Sequence, residues 1–295
     1  MLEYRYVQIE DREWVEKIFK KANRRGNEYT FSNLFNWSCP QNIKIAQYKE
    51  NIIFNHTEKD SVYSFPIGNG HLGEAVNLIL DECSKKDKKV SFVNLDEYDA
   101  EILEQQFPHK FTIDEHRDDF DYIYESSDLS DLFGKKYHAK RNHISKFLRN
   151  YPNWKFEKID RDNIDKAKVM VAKWYLQSED KKEGTIKKEK IAVNNALKYY
   201  FELNLTGGIL FVDDVAVAVS FGSPACDDTF VVHAEKAFTE FDGAYTMVNR
   251  EFSRFLRPNY RYINREDDVG IAGLRLSKES YSPVFMYKRF TAKEV

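Results

Sequence analysis

The spacing of apolar positions changes several times along the chain, and each change marks a predicted element. Trp14, Ile18 and Ala22 recur every four residues, which predicts a helix over 11–23 with one buried face. A strand is expected before it at 4–9 and a short helical piece after it at 31–37. Alternating patterns then predict strands at 43–48 and 51–57, tightly joined at 49–51, and another at 61–65. Leu72, Val76, Ile79 and Cys83 share one side of a predicted helix at 71–85. Strand 89–94, helix 98–107 and strand 110–124 complete the first half.

The second half repeats this order. Strand 154–159 precedes helices at 163–178 and 187–204. The stretch "GGILFVDDVAVAVSFGS" reads as a hairpin turning at Asp213–Asp214. Strand 229–236, helix 243–256, strand 260–265, helix 271–280 and strand 284–290 follow. The segment between the halves stops at Tyr151–Pro152, where a helix cannot continue. No residue-level repeat is visible, so the duplication is one of pattern. The expected class is α+β, with mixed, mostly antiparallel sheets flanked by helices. The expected organisation is an N-terminal domain at 1–125, a basic linker helix at 126–152 and a C-terminal domain at 153–295 that carries the site.

Composition narrows the options. The 295 residues carry a formal charge of −3, so contact with a polyanion would need a local patch. Aromatic residues make up 15% of the chain, which implies folded cores and excludes a disordered chain. Cys39, Cys83 and Cys226 lie far apart and form no CxxC pair, so inert buried thiols in a reducing compartment are expected. No apolar signal core or eighteen-residue apolar run is present, and a cytoplasmic location is expected. With no HExxH, and with His138 and His143 five apart, no metal site is expected.

Three stretches carry candidate chemistry. In 134–155, Lys135, Lys136, Lys140, Arg141, Lys146, Arg149 and Lys155 occur without an acid, interleaved with Tyr137, His138, His143 and Trp154. That mixture could be a solvated face of a linker helix, but the absence of any acid over so long a stretch favours phosphate or RNA contact. In 262–283, Asn264, Glu266 and Asp267 fall at a predicted strand tip, ahead of a helix bearing Arg275 and Lys278. His233 and Glu235 lie on the neighbouring predicted strand, so these residues are expected to converge on one cleft. In 235–252, Glu240 and Asp242 precede Gly243, Ala244 and Tyr245 at a predicted helix start.

The element order resembles that of the GNAT acyltransferase fold, whose equivalent turn carries Gln/Arg-x-x-Gly-x-Gly/Ala and binds the pyrophosphate of acetyl-CoA. Here that turn has an acid in place of the leading Arg or Gln and Tyr245 at the second small position. The first half offers Gly68-Asn69-Gly70 without the leading polar residue. Carboxylates oppose a phosphate there but suit an ammonium group, which Glu235, Glu240 or Asp242 could hold.

The stretches "DYIYESSDLSDLFGKKYHAKRNHISKF", "HAEKAFTEFDGAYTMVNREF", "YINREDDVGIAGLRLSKESYSP", "MYKRF" and "EYTFSNLFNW" together are similar to the DUF2156 family. That family is related to the C-terminal catalytic domain of phosphatidylglycerol lysyltransferase. The resemblance implies tandem GNAT-like domains and an aminoacyl-tRNA donor, with no further cofactor and acetyl-CoA the weaker choice. It implies tRNA and a lipid, peptide or other cell-envelope acceptor as partners, and leaves membrane-surface contact and oligomeric state open. The departure is the missing transmembrane half, which favours a soluble or peripheral acceptor. His233 or Glu235 would act as the acceptor's base or its orienting group. Asp242, Tyr245, Asn264, Glu266 and Asp267 would contact substrate. Arg275, Lys278, Lys288, Lys136, Lys140 and Arg141 would contact tRNA phosphates. The alternatives are an acyl-CoA N-acyltransferase and a non-catalytic binding module.

Overall fold

The computed structural model describes residues 2–68, 70–178 and 185–295. Asn69 of the predicted first-half turn lies outside them. The first half runs α1 (Arg12–Ala22), α2 (Phe31–Ser38), β1 (Ile43–Tyr48), β2 (Asn51–His56), β3 (Val62–Gly68), α3 (Leu72–Ser84), β4 (Ser91–Leu95), α4 (Glu97–Gln106), β5 (Phe111–Glu115) and β6 (Asp121–Glu125). Helices α5 (Ser126–Asp131) and α6 (His138–Asn150) join it to the second half. That half runs β7 (Trp154–Lys158), α7 (Ile164–Ser178), α8 (Thr185–Lys198), β8 (Thr206–Val212), β9 (Val215–Cys226), β10 (Thr229–Ala237), α9 (Ala244–Leu256), β11 (Tyr262–Asn264), α10 (Ala272–Glu279), β12 (Phe285–Tyr287) and β13 (Phe290–Glu294).

Among the described residues these strands form two sheets, ordered β1-β2-β3-β4-β13-β5 and β12-β6-β11-β10-β9-β8-β7. Each contains an antiparallel meander and one short parallel pair, β3 with β4 and β10 with β11. A helix crosses over between the members of each parallel pair, α3 in one half and α9 in the other.

The sheets trade strands. β6, from the first half, lies between β11 and β12, while the C-terminal β13 lies between β4 and β5. The predicted strand 110–124 is therefore two strands in two sheets, broken by the polar run His116–Asp119, whose ring and carboxylate pair at 2.7 Å. The predicted strand 284–290 is likewise split between β12 and β13. Strand 4–9 is reduced to a single bridge, Arg5 with Ile45. The Arg5 guanidinium instead turns to Asp11, which opens the run into α1.

Buried side chains of both halves share one large apolar cluster, from Val15 and Phe19 through Tyr122 and Tyr124 to Phe221 and Met247. A second cluster lies under α3 and α4, around Val76, Phe65, Phe92 and Leu103. Of the three free thiols only Cys83 is buried; Cys39 is exposed.

Candidate active site

Strands β10 and β11 pair in parallel for three residues only, ending at Val231 with Asn264. Beyond that point they diverge, and the gap becomes a cleft of about 520 Å³ lined by His233, Glu235, Tyr245, Arg265 and Lys278. A second cavity of about 310 Å³ lies between the halves, lined by Glu28, Asn94, Asp119 and Arg289. Trp37, Glu266, Asp267 and Val269 line both. The two acids at the tip of β11 thus form a shared wall.

His233 is the extra residue of a β-bulge: Val232 pairs with Gly222 and Ala234 with Phe221. A bulge re-aims its side chain, here toward three partners on three other elements. Nδ1 lies 2.8 Å from Glu266 Oε1, and Nε2 lies 2.8 Å from Ser32 Oγ and 2.9 Å from Ser223 Oγ. Glu235 is equally occupied. It accepts from Arg265 Nη2 at 2.8 Å and from Asn249 Nδ2 at 3.0 Å. Neither residue presents an unengaged base to the cleft.

The loop after β11 is held from behind. Asn264 donates to the Arg25 carbonyl and to Asp121, and its amide oxygen accepts from the Glu266 backbone at 2.7 Å. Glu266 has φ 56, the left-handed region, which turns the chain sharply. Lys278, buried, donates to the carbonyls of Arg265, Glu266 and Asp267 in succession. Burial lowers its pKa to about 8, with Asp267 acting in the opposite direction. Asp267 itself has no hydrogen-bond or ion-pair partner for its carboxylate among the described residues. Burial, and then the nearby Asp121, raise its pKa to about 7.

A loop this specifically braced around one unengaged acid invites comparison with known proteins. Residues 19–293 match the model of the family described as phosphatidylglycerol lysyltransferase, C-terminal. The chain belongs to that family. A crystal structure of a conserved Bacteroides thetaiotaomicron protein of unknown function is 36% identical, covers 100% of both chains and superposes with a TM-score of 0.93. The structure of L-PGS from Bacillus licheniformis is 15% identical, covers 96% of this chain and 91% of its own, and has a TM-score of 0.66. An uncharacterised Mycoplasmoides gallisepticum protein is 25% identical over 202 residues, 67% of this chain and 60% of that relative's length. The fold is that of tandem GNAT-like proteins. Among the described residues no helix is long and apolar enough to cross a membrane.

Within this lysyltransferase-family fold the sequence-predicted residues separate into two groups. His233, Glu235, Tyr245, Glu266, Asp267 and Lys278 line the same cleft, and Asn264 braces it. Lys278 spends its protons on backbone carbonyls and so supports the loop, leaving none for a phosphate. Tyr245 is a wall residue whose hydroxyl accepts from Trp174 at 3.1 Å.

The other group is occupied elsewhere. Asp242 pairs with Lys146 of α6, whose hydrogen bond lowers its pKa, so its cation is internal. Arg275 is bidentate to Asp268 and also reaches Asp118 at 2.7 Å. Lys288 pairs with Glu115 at 2.8 Å and Lys136 with Asp128 at 2.9 Å. Arg141 donates to the carbonyls of Leu132 and Gly134. Lys140 donates to Ser280 and lies 3.8 Å above the Tyr281 ring; burial, and then Arg265, lower its pKa to about 8. Local spacing shows that such residues are near one another, but not that each has an internal partner.

Ser32, Ser223, Glu28, Asp119 and Arg289 were not singled out from the sequence. Arg289 reaches Glu28 and, at 3.1 Å, Asp121, across the junction of the two sheets. The available signal was the family resemblance of 28–37 and "MYKRF", which contain three of these five.

Proposed function

We propose that the chain transfers an aminoacyl group from an aminoacyl-tRNA ester to a nucleophile on a lipid, peptide or other cell-envelope acceptor. The observation that carries this reading is the unengaged Asp267 carboxylate on the wall shared by two cavities, with a pKa of about 7. An aminoacyl ester is already activated, so the protein must position it, accept a proton from the acceptor and stabilise the oxyanion. Asp267 takes the acceptor's proton. Asp119 and Glu266 make the smaller cavity acidic, which suits the donor's ammonium group. Exposed Lys135 and Arg149 are available to contact donor phosphates.

The acetyl-CoA reading meets a physical obstacle. The turn that would cradle a pyrophosphate, at 240–243, is covered by α6. Lys146 pairs with Asp242, the Tyr151 ring lies 5.3 Å from that of Phe241, and Tyr151 donates to the Glu240 carbonyl. The deciding experiment measures melting temperature with a non-hydrolysable aminoacyl-adenosine and with acetyl-CoA, followed by mass spectrometry of transfer products. Stabilisation by the aminoacyl compound and a product that disappears in Asp267→Asn are expected. A shift with acetyl-CoA alone would overturn the reading, and binding without any product would leave a binding module.

A further inference from the structure

The partners of His233 form a chain that takes no part in the proton transfer assigned to Asp267. Four elements contribute: α2 brings Ser32, β9 brings Ser223, the β10 bulge brings His233, and the loop after β11 brings Glu266. Hydroxyl to imidazole is 2.8 Å for Ser32 and 2.9 Å for Ser223, imidazole to carboxylate is 2.8 Å, and the two hydroxyls are 2.6 Å apart. A nucleophile within hydrogen-bond reach of a base that is itself oriented by a carboxylate is the arrangement that activates a serine. His233 and Glu266 line the cleft, whereas Ser32 and Ser223 line a separate cavity of about 470 Å³. Phe19, Tyr29, Phe31, Leu203, Pro224 and Tyr260 form one part of its wall, and Glu16, Lys20, Asn204, Asp227 and Asn259 form a polar part.

We infer that Ser32, His233 and Glu266 form a nucleophilic triad that cleaves carboxylic esters with a compact acyl group, bound in the 470 Å³ cavity. Ser32 is the nucleophile, rather than Ser223, because it sits in the first turn of α2, where backbone amides lack helical acceptors. Thr30 Oγ1 accepts from the Asn33 amide at 3.2 Å, and the Ser32 amide has no acceptor among the described residues. It can therefore donate to an oxyanion. Ser223 donates to the Ser32 oxygen and steadies it as charge develops.

The step balances without further reagents than water. The Ser32 hydroxyl proton passes to Nε2 as Oγ bonds to the ester carbonyl carbon, whose π pair moves to oxygen. Collapse breaks the ester C–O bond. The departing alkoxide takes the proton from Nε2 and leaves as the alcohol, giving acyl-Ser32. Water then repeats the sequence and releases the carboxylic acid. Glu266 holds Nδ1–H throughout.

The test is labelling of the intact wild-type chain with a small fluorophosphonate, read by intact mass and peptide mapping. It needs no tRNA, so its outcome is independent of the aminoacyl-transfer reading. One adduct per chain on Ser32 is expected, absent in Ser32→Ala, retained in Ser223→Ala and formed at least tenfold more slowly in Glu266→Gln. No adduct on the wild-type chain, an adduct on Ser223 or elsewhere, or an unchanged rate in Glu266→Gln would each overturn the triad.

Discussion

The two halves build the same unit, a bulged strand, a turn, a helix and a short parallel partner strand, and fill it differently. In the first half the irregularity falls at Phe65–Pro66 of β3, and the Phe65 ring packs 5.6 Å from Phe92. In the second half the bulge holds His233, bonded to Ser32, Ser223 and Glu266. Just past the parallel pair each half has a left-handed residue, Asn94 at φ 60 and Glu266 at φ 56. Asn94 donates weakly to Ser64 at 3.4 Å, whereas Glu266 is followed by the unengaged acid Asp267. The turns invert this contrast. A methyl on Gly70 would meet nothing within 4 Å, but one on Gly243 would lie 2.6 Å from the His143 carbonyl of α6. One copy therefore has an open turn and an apolar bulge, the other a covered turn and a polar bulge. The backbone unit is shared by both copies, and the polar cluster lies in the half whose turn is covered.

The largest expected effect comes from the residue that ties the copies together. Arg289, 3% exposed, sits between β12 of one sheet and β13 of the other and neutralises Glu28 and Asp121. Arg289→Ala leaves two buried acids without their cation and should cost about 3–5 kcal/mol. Because strands are traded between the sheets, the loss should appear as an earlier single transition in urea, monitored by circular dichroism and by tryptophan emission. Two separated transitions would mean that the halves fold as independent units.

The second prediction sets one half's acid against the other half's amide. Asp267→Asn should lower kcat for transfer by about 10²–10⁴-fold without lowering the melting temperature at pH 7. Asn94→Ala, at the matching place in the first half, should change kcat less than about threefold if that half only walls the cavity. The pH dependence follows from the same carboxyl, which faces Asp121, Lys278, Glu266 and Asp119. On the proposed role of Asp267 as base, transfer needs its ionised form, so kcat should rise as pH passes about 7 and then level off. Stability has the opposite slope. The folded chain holds this proton more tightly than the unfolded chain, so the group's contribution is complete below 3.8 and is lost as pH rises through about 7. Asp267→Asn should flatten both profiles across that window.

A third, smaller effect tests the turns. Both glycines have left-handed backbones, with φ 94 at Gly70 and φ 87 at Gly243. Gly70→Ala pays the conformational strain alone, about 1 kcal/mol. Gly243→Ala adds an overlap with backbone that cannot swing aside, and about 3 kcal/mol is expected. Equal losses in denaturant titrations would mean that α6 does not cover the turn in solution.

Periodicity made the helices, the meanders and the duplicated order legible, because each depends on local spacing. It also placed His233, Glu235, Glu266 and Asp267 together, since adjacent strand tips in one half follow from element order. The strand trade was not legible: β6 and β13 alternate as any half-buried strand does, and alternation does not say which sheet receives it. Ser32 illustrates the same limit at the site. It lies 201 residues from His233, and nothing in its own neighbourhood marks a hydroxyl aimed at an imidazole. The cations of 134–155 show the converse. They read as a free patch because Asp128, Asp242 and the carbonyls that occupy Lys136, Lys146 and Arg141 lie on other elements or take no part in charge counting.

The smallest effect concerns Asp242, the acid at the covered turn. Asp242 and Lys146 are both substantially exposed, 42% and 50% by side chain, so water and salt screen their attraction. Lys146→Ala should leave the melting midpoint unchanged within measurement. It should also fail to create an acetyl-CoA response, because the lysine is only the outer part of the cover. The His143 carbonyl, the Phe147 side chain and the Tyr151 ring remain against residues 241–243. Moreover, removing the lysine exposes an Asp242 carboxylate that repels phosphate at the helix start. If Lys146→Ala alone conferred a thermal shift with acetyl-CoA, the turn would be a latent pyrophosphate cradle held shut by one side chain. The contrast between an open, blank copy and a covered, chemically equipped one would then reduce to a single ion pair.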